Sequence, residues 1–339
     1  MTRRRKLAFA LVTVTVGLAA VLLFAEFAVR WSLMGAPRPA LLSFFRSPEV
    51  FVSDPDLGFK LNPDRKGASS LGIMHGEIAS LKPAGLFRVV VLGDSVSFDH
   101  FGFVPMLQEG LQRLRRGPVE VINASIPGFT TYQELVLLRR DLIGFEPDLV
   151  ILQYCLNDNH TYLHFLDETG RWLLTPDAER AAGFDRGGWL ASLTRSSYLL
   201  LTIRIGLAHF DALAGTPFAW ERRPDFYAAW EDSSWPPIEA CLREMKSLSE
   251  SAGGKFLVVA VPFKPQFSTQ ALERDREYTL KPQRRLNEIC SRLGVPILDM
   301  FPVFSKQPVE EIYRDQIHLT EHGHRIVAEE LLALLRREL

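Results

Sequence analysis

Hydrophobic positions fall into three regimes along the chain. From Leu7 to Ala25 the run LAFALVTVTVGLAAVLLFA carries no charge and is apolar on every helical face. From Phe87 onward, short aliphatic runs alternate with amphipathic stretches. The runs RVVVLG (88–93), VEVINAS (119–125), DLVILQY (148–154), KFLVVAVP (255–262) and VPILDM (295–300) predict five strands. Continuous apolar runs of this kind mark strands covered on both faces. Helices are predicted over 104–115, 132–142, 237–251 and 281–293. A last one starts at Thr320, with Glu321 in its first turn and Arg336 and Arg337 in its last. Strands alternating with helices imply parallel pairing through right-handed crossovers. The expected fold is a three-layer α/β/α sandwich around a five-stranded parallel sheet, with functional residues beyond the carboxyl ends of its strands.

The third regime lies between and within these blocks. Residues 36–85, with Pro37, Pro39, Pro55 and Pro63, predict an irregular connector. Residues 160–235 interrupt the alternation with several aromatic side chains, the pair Gly187-Gly188 and no clear strand. The expected organisation is therefore a basic stub and anchor over 1–35, the connector over 36–85, and one domain over 86–339 carrying an insertion at about 160–235.

Charge changes the reading of the first segment. The basic run Thr2-Arg3-Arg4-Arg5-Lys6 precedes the apolar one, and Trp31 follows at what would be headgroup level. At about 1.5 Å per residue the apolar run approaches the roughly 30 Å of a bilayer core. A single-pass membrane anchor is expected, with the N-terminus cytoplasmic and the main domain on the other side. A cleaved signal peptide is the rival reading. Its apolar region would be shorter, and Ala25-Glu26-Phe27-Ala28 is a poor cleavage site.

Over the whole chain, 39 basic and 40 acidic residues leave a net charge of -1, which gives no electrostatic footprint for nucleic acid. The three cysteines, Cys155, Cys241 and Cys290, make no complete disulfide framework and lack metal-ligand spacing. They are expected to be buried hydrophobes. No cofactor is called for.

Candidate chemistry clusters where the sheet rule expects it. The first strand ends in Gly93-Asp94-Ser95. A hydroxyl there is exposed at the sheet edge near backbone N–H groups able to meet an oxyanion. Taken alone, it is equally a helix N-cap. Gly128 follows the second strand, and a glycine turns its backbone N–H toward a site with no side chain in the way. It also fits an ordinary loop. Asn157 follows the third strand in Leu156-Asn157-Asp158-Asn159 and offers an amide donor, or an Asx turn. Near the end stands Asp315-Gln316-Ile317-His318. A serine hydroxyl needs a base with a pKa near neutrality, and the imidazole needs an acceptor on its other nitrogen. An aspartate three residues earlier supplies one. His322 and His324 lie near His318 but without the metalloprotease pattern, and are expected to be surface or N-terminal helix histidines rather than metal ligands.

The order of these blocks resembles the SGNH (GDSL-like) hydrolase superfamily over about residues 86–339. The resemblance implies a flavodoxin-like sheet and Ser95 as nucleophile. His318 and Asp315 would complete a triad, and Ser95, Gly128 and Asn157 would form an oxyanion hole, with Asp94 and Asp158 in support. One departure bears on the pocket. Cys155 stands where the third block usually has glycine, a position from which a side chain could narrow the pocket or shift Asn157.

The implied function is a membrane-anchored serine esterase that hydrolyses or transfers acyl groups. O-acyl esters on envelope or extracellular polysaccharide are the first expectation for its substrate, and lipid esters the alternative. A further alternative is a catalytically inactive membrane subunit that keeps the fold for binding or assembly. Oligomeric state is not readable from the sequence.

Overall fold

The computed structural model describes residues 2–35, 49–99, 101–159, 164–166, 172–174, 199, 217–222 and 224–338. The N-terminal helix α1 spans Arg3–Gly35. Its segment Val12–Val29 has a mean hydropathy of 2.2 and is wholly unburied, so it is long and apolar enough to cross a membrane.

Two short strands follow, β1 (Phe51–Asp54) and β2 (Gly58–Leu61), paired antiparallel. The expected irregular connector is therefore ordered over this stretch. Phe51, Leu57, Phe59 and Leu61 are all buried and join the main core. Phe59 meets Phe51 edge-on at 5.4 Å between ring centroids and Phe129 at 5.2 Å. The sequence masks this packing because two prolines and several polar residues dilute the apolar pattern over so few positions.

The main sheet contains β3 (Phe87–Leu92), β4 (Val119–Asn123), β5 (Leu149–Tyr154), β8 (Lys255–Ala260) and β9 (Ile297–Asp299). Its order is β4-β3-β5-β8-β9, and every pair is parallel. The expected α/β/α sandwich is the observed fold. Within the expected insertion, β6 (His164–Leu166) and β7 (Trp172–Leu174) pair antiparallel; most of the rest of that insertion lies outside the described residues.

Side-chain alternation splits the core in two. Val89 and Val91 face the layer of α3 (Phe103–Leu114) and α7 (Glu321–Glu338). Val90 and Leu92 face α4 (Thr131–Leu137), α5 (Trp235–Ser251) and α6 (Lys281–Leu293), together with the β1–β2 hairpin. All four side chains are fully buried. Each contributes about 1.5–3 kcal/mol by leaving water.

The short helix α2 (Ser95–Phe98) leaves β3 at its carboxyl end. After α4 the chain continues as a π-turn over Leu138–Leu142 and a 3₁₀ turn over Ile143–Phe145, so the predicted 132–142 helix is regular only in its first half. Arg140, on the π-turn, reaches back to Asp54 at 2.8 Å and Asp56 at 2.8 Å. Gln133 Nε2 donates to the Leu57 carbonyl at 2.7 Å. These bonds and the aromatic contacts fasten the hairpin to α4. Replacing Phe59 by alanine is expected to cost about 3–5 kcal/mol in urea unfolding of the detergent-solubilised protein, as for a buried core phenylalanine. A loss under 1 kcal/mol would mean that the hairpin is peripheral.

Candidate active site

The carboxyl ends of β3, β4 and β5 and the loop before α7 meet at one edge of the sheet. At the first, Gly93 is required by close approach. A Cβ there would lie 2.2 Å from Ser97 Oγ and 2.7 Å from Gln153 Oε1. Asp94, rather than Ser95, caps α2, its Oδ1 accepting from Val96 N at 2.9 Å. The Ser95 hydroxyl is thereby left for another partner. That partner is His318, whose Nε2 is 2.9 Å from Ser95 Oγ. On the other side of the ring, Nδ1 is 2.7 Å from Asp315 Oδ2. With the ring proton on Nδ1 and donated to Asp315, Nε2 accepts the Ser95 O–H, the arrangement a hydroxyl needs to lose its proton to a base.

The loop bearing the imidazole is pinned from both sides. Tyr313 and Leu319 form an isolated antiparallel bridge, and Arg314 N donates to the His318 carbonyl at 3.0 Å. Tyr313 OH donates to Pro262 O at 2.6 Å and Lys264 N to Gln316 O at 2.9 Å, so the loop is tied to the exit of β8. Thr320 Oγ1 caps α7 by accepting from Gly323 N at 3.2 Å. Asp315 Oδ1 accepts from the backbone N–H groups of Ile317 at 2.9 Å and His318 at 2.8 Å.

Electrostatics follow from these contacts. Burial alone would raise the Asp315 carboxyl, but the hydrogen bonds from the His318 side chain and from the Ile317 and His318 N–H groups outweigh it and hold it at about 2. Burial would likewise depress the His318 imidazole. The hydrogen bond and charge of Asp315, with the charge of Asp94, outweigh it and raise the imidazole above its ordinary 6.5, against an opposing push from Arg314.

Asn157 lies in a 3₁₀ turn, Leu156–Asn159, at the end of β5. Its Nδ2 donates one hydrogen to Asp94 Oδ2 at 2.8 Å, which leaves the other available. Asp158 Oδ2 closes the turn by accepting from Cys155 N at 2.7 Å. Cys155 itself is fully buried among the core residues facing α3 and α7. The thiol points into the core, as expected of a buried hydrophobe, and Asn157 reaches Asp94. Gly128 lies in the turn after β4 with φ +83°, a conformation that favours glycine. That turn is held to the first loop by Ile126 N donating to Gly93 O at 3.0 Å.

Of the two histidines that follow His318, His322 is exposed, but His324 is fully buried and stacks on Phe103 at 6.3 Å. Both lie at the N-terminal end of α7, one of the two expected positions; His324 is buried there because the first turn of α7 packs against α3 rather than facing water. Among the described residues no group of three His, Cys, Asp or Glu side chains is arranged to hold a metal ion.

Several residues around the site had no motif to announce them. Asp99 accepts from Arg314 Nη2 at 2.7 Å, at the rim beside Ser95 and Asp315. Ser97 Oγ lies 2.8 Å from Ser125 Oγ and donates to Gln153 Oε1 at 2.8 Å, linking the first three loops beneath the surface. Glu134 is fully buried on α4. The one available signal was a carboxylate in the otherwise apolar ELVLL, and it reads equally as the solvent edge of an amphipathic helix.

Residues 91–326 match the GDSL-like lipase/acylhydrolase family. No curated protein matches the chain. Solved structures similar to it include TesA, at 17% identity over 74% of this chain and 99% of that one, with a TM-score of 0.43. The acetyl xylan esterase AlAXEase has 14% identity over 73% of this chain and 99% of that one, with a TM-score of 0.44. A lipase/acylhydrolase from Enterococcus faecalis has 14% identity over 75% of this chain and 97% of that one, with a TM-score of 0.42.

The His318 environment has a direct readout. Titration of its ring by NMR should give a midpoint above 6.5. In Asp315→Asn the midpoint should fall, because the neutral amide no longer stabilises the imidazolium. An unchanged midpoint in that variant would dissociate the two side chains.

Proposed function

We propose that this chain, which belongs to the GDSL-like lipase/acylhydrolase family and so to a group of ester hydrolases, is a membrane-anchored serine esterase using Ser95, His318 and Asp315 as its triad. The observation that carries this reading is the 2.9 Å contact between Ser95 Oγ and His318 Nε2, with Asp315 on the far side of the ring. Ser95 Oγ attacks the ester carbonyl while His318 Nε2 takes its proton. The Asp315 carboxylate stabilises the imidazolium. The Ser95 and Gly128 backbone N–H groups and the free Asn157 hydrogen receive the oxyanion. The imidazolium then protonates the leaving alcohol as the tetrahedral intermediate collapses. Water, or an acceptor hydroxyl in a transferase, attacks the acyl-serine with His318 again as base.

The domain organisation we propose is a cytoplasmic basic stub and anchor over 1–35, a connector over 36–85 whose β1–β2 hairpin packs on the main domain, and a hydrolase domain over 86–339. The basic residues that open α1 support a cytoplasmic N-terminus and a domain on the outer face of the membrane. A substrate in the cell envelope or outside it fits that location. Within that class, O-acyl groups on polysaccharide fit the rim, where Asp99, Arg314 and Asp315 surround the serine and histidine with charge. A lipid acyl chain would require apolar surface there. Outside α1, the exposed large hydrophobic side chains among the described residues are Leu81, Leu114 and Tyr132.

Two measurements check the reading. Ser95→Ala should lower kcat for p-nitrophenyl acetate by about 10⁴-fold or more while leaving thermal unfolding unchanged, and it should abolish labelling by a fluorophosphonate. Wild-type protein that resists the fluorophosphonate would favour an inactive binding subunit. Across p-nitrophenyl esters of increasing acyl length, kcat/KM should fall steeply beyond acetate; a maximum at long chains would favour lipid esters instead.

A further inference from the structure

Behind the Asn157 turn lies a group of acids that the proposed reaction does not use. Glu134 on α4 and Asp158 in the 3₁₀ turn have no exposed surface, and their two elements pack against each other. Asp158 Oδ2 is satisfied by Cys155 N. Among the described residues its Oδ1 has no donor, and neither oxygen of Glu134 has one. Three buried acceptor oxygens without a hydrogen among them would each forfeit the hydration they lost on folding, at greater cost if charged. The electrostatic neighbours of the pair offer no relief. Asp94 faces both Glu134 and Asp158, Tyr154 and Cys155 lie beside Asp158, and Cys241 of α5 lies beside Glu134. Among the described residues, all of these neighbours are acids. His318 faces Asp94 instead.

We infer that Glu134 and Asp158 hold one proton between them, and that Glu134 is through this O–H···O bond a positioning residue for the turn that presents Asn157. The proton supplies a hydrogen between Asp158 Oδ1 and one of the two Glu134 oxygens. It also spares the site a second negative charge directly behind the position where an oxyanion would form. Burial first, and then the charges of neighbouring acids, push both carboxyls well above their ordinary range, in agreement with this arrangement. The kinetic consequence rests on the esterase reading; the shared proton does not.

The full-length protein in detergent tests both parts, using Glu134→Gln and Glu134→Ala. Gln keeps a neutral side chain and donates an N–H to Asp158, whereas Ala strands Asp158. In the infrared difference spectrum of wild type minus Glu134→Gln at neutral pH, a protonated-carboxyl C=O band should appear in the wild type. Its absence, as expected if water bridged two ionised carboxylates, would overturn the shared proton. Kinetically, Glu134→Ala should lower kcat by about tenfold or more with KM within about twofold, since the Asn157 donor acts on the transition state. Glu134→Gln should restore kcat to within about threefold of wild type. Ala retaining full kcat, or Gln losing as much as Ala, would overturn the positioning role.

Stability gives a readout that survives if Ala fails to fold. The folded pair keeps a proton that the unfolded chain releases above the ordinary glutamate value of 4.5. Wild type should therefore lose stability relative to Glu134→Gln as pH rises past that value, and the difference between the two should level off below it. A gap independent of pH would overturn the shared proton. Ester turnover that persists in Ser95→Ala would defeat the esterase reading alone, and the infrared and pH comparisons would still decide the proton.

Discussion

One buried carboxylate holds the edge of this sheet together. Asp94 has no exposed surface, yet it accepts Val96 N from its own turn and Asn157 Nδ2 from the next loop. Burial pushes its pKa up, and these two donors, with the charge of His318, offset that only in part. A buried carboxylate is costly unless hydrogen-bonded, so whichever arrangement of the loops satisfies Asp94 is strongly favoured. That arrangement orients the amide of Asn157 and leaves the hydroxyl of Ser95 to the imidazole. The distances around Ser95 therefore depend on the hydration that Asp94 gave up.

Much of the scaffold was legible because parallel strands covered on both faces have few ways to be written. Runs such as RVVVLG and DLVILQY admit little but a central strand, and the structure has β3 and β5 there with every residue buried. The site blocks were legible for the related reason that this architecture offers chemistry only where strands end. Ser95, Asn157, Asp315 and His318 were each ambiguous by residue type and informative by position. The hydrogen bonds that bring Ser95, His318 and Asp315 together and join Asn157 to Asp94 could only come from coordinates.

What escaped the sequence is mostly polar and buried. His324 looks like a surface residue until α7 is docked on α3, where it stacks on Phe103. Glu134 looks like a solvent-facing helix residue until α4 is enclosed by the 3₁₀ turn and α5. Pattern reasoning assigns polar residues outward by default, and such a default fails where a fold recruits them for internal hydrogen bonding. The β1–β2 hairpin escaped for a different reason: four-residue strands are too short for a period to register.

That hairpin decides where a soluble form of this protein can begin. A cut at residue 86 follows the sequence boundary and removes the anchor cleanly, but it also removes Phe51, Leu57, Phe59 and Leu61. Phe129, the neighbour of Gly128, would lose its aromatic cover and face water. The loop expected to help receive the oxyanion would then border an open hydrophobic wound, inviting aggregation as well as misalignment. Anchor and enzyme are best severed ahead of Val50, so that the chain's first folded segment stays with the domain it completes.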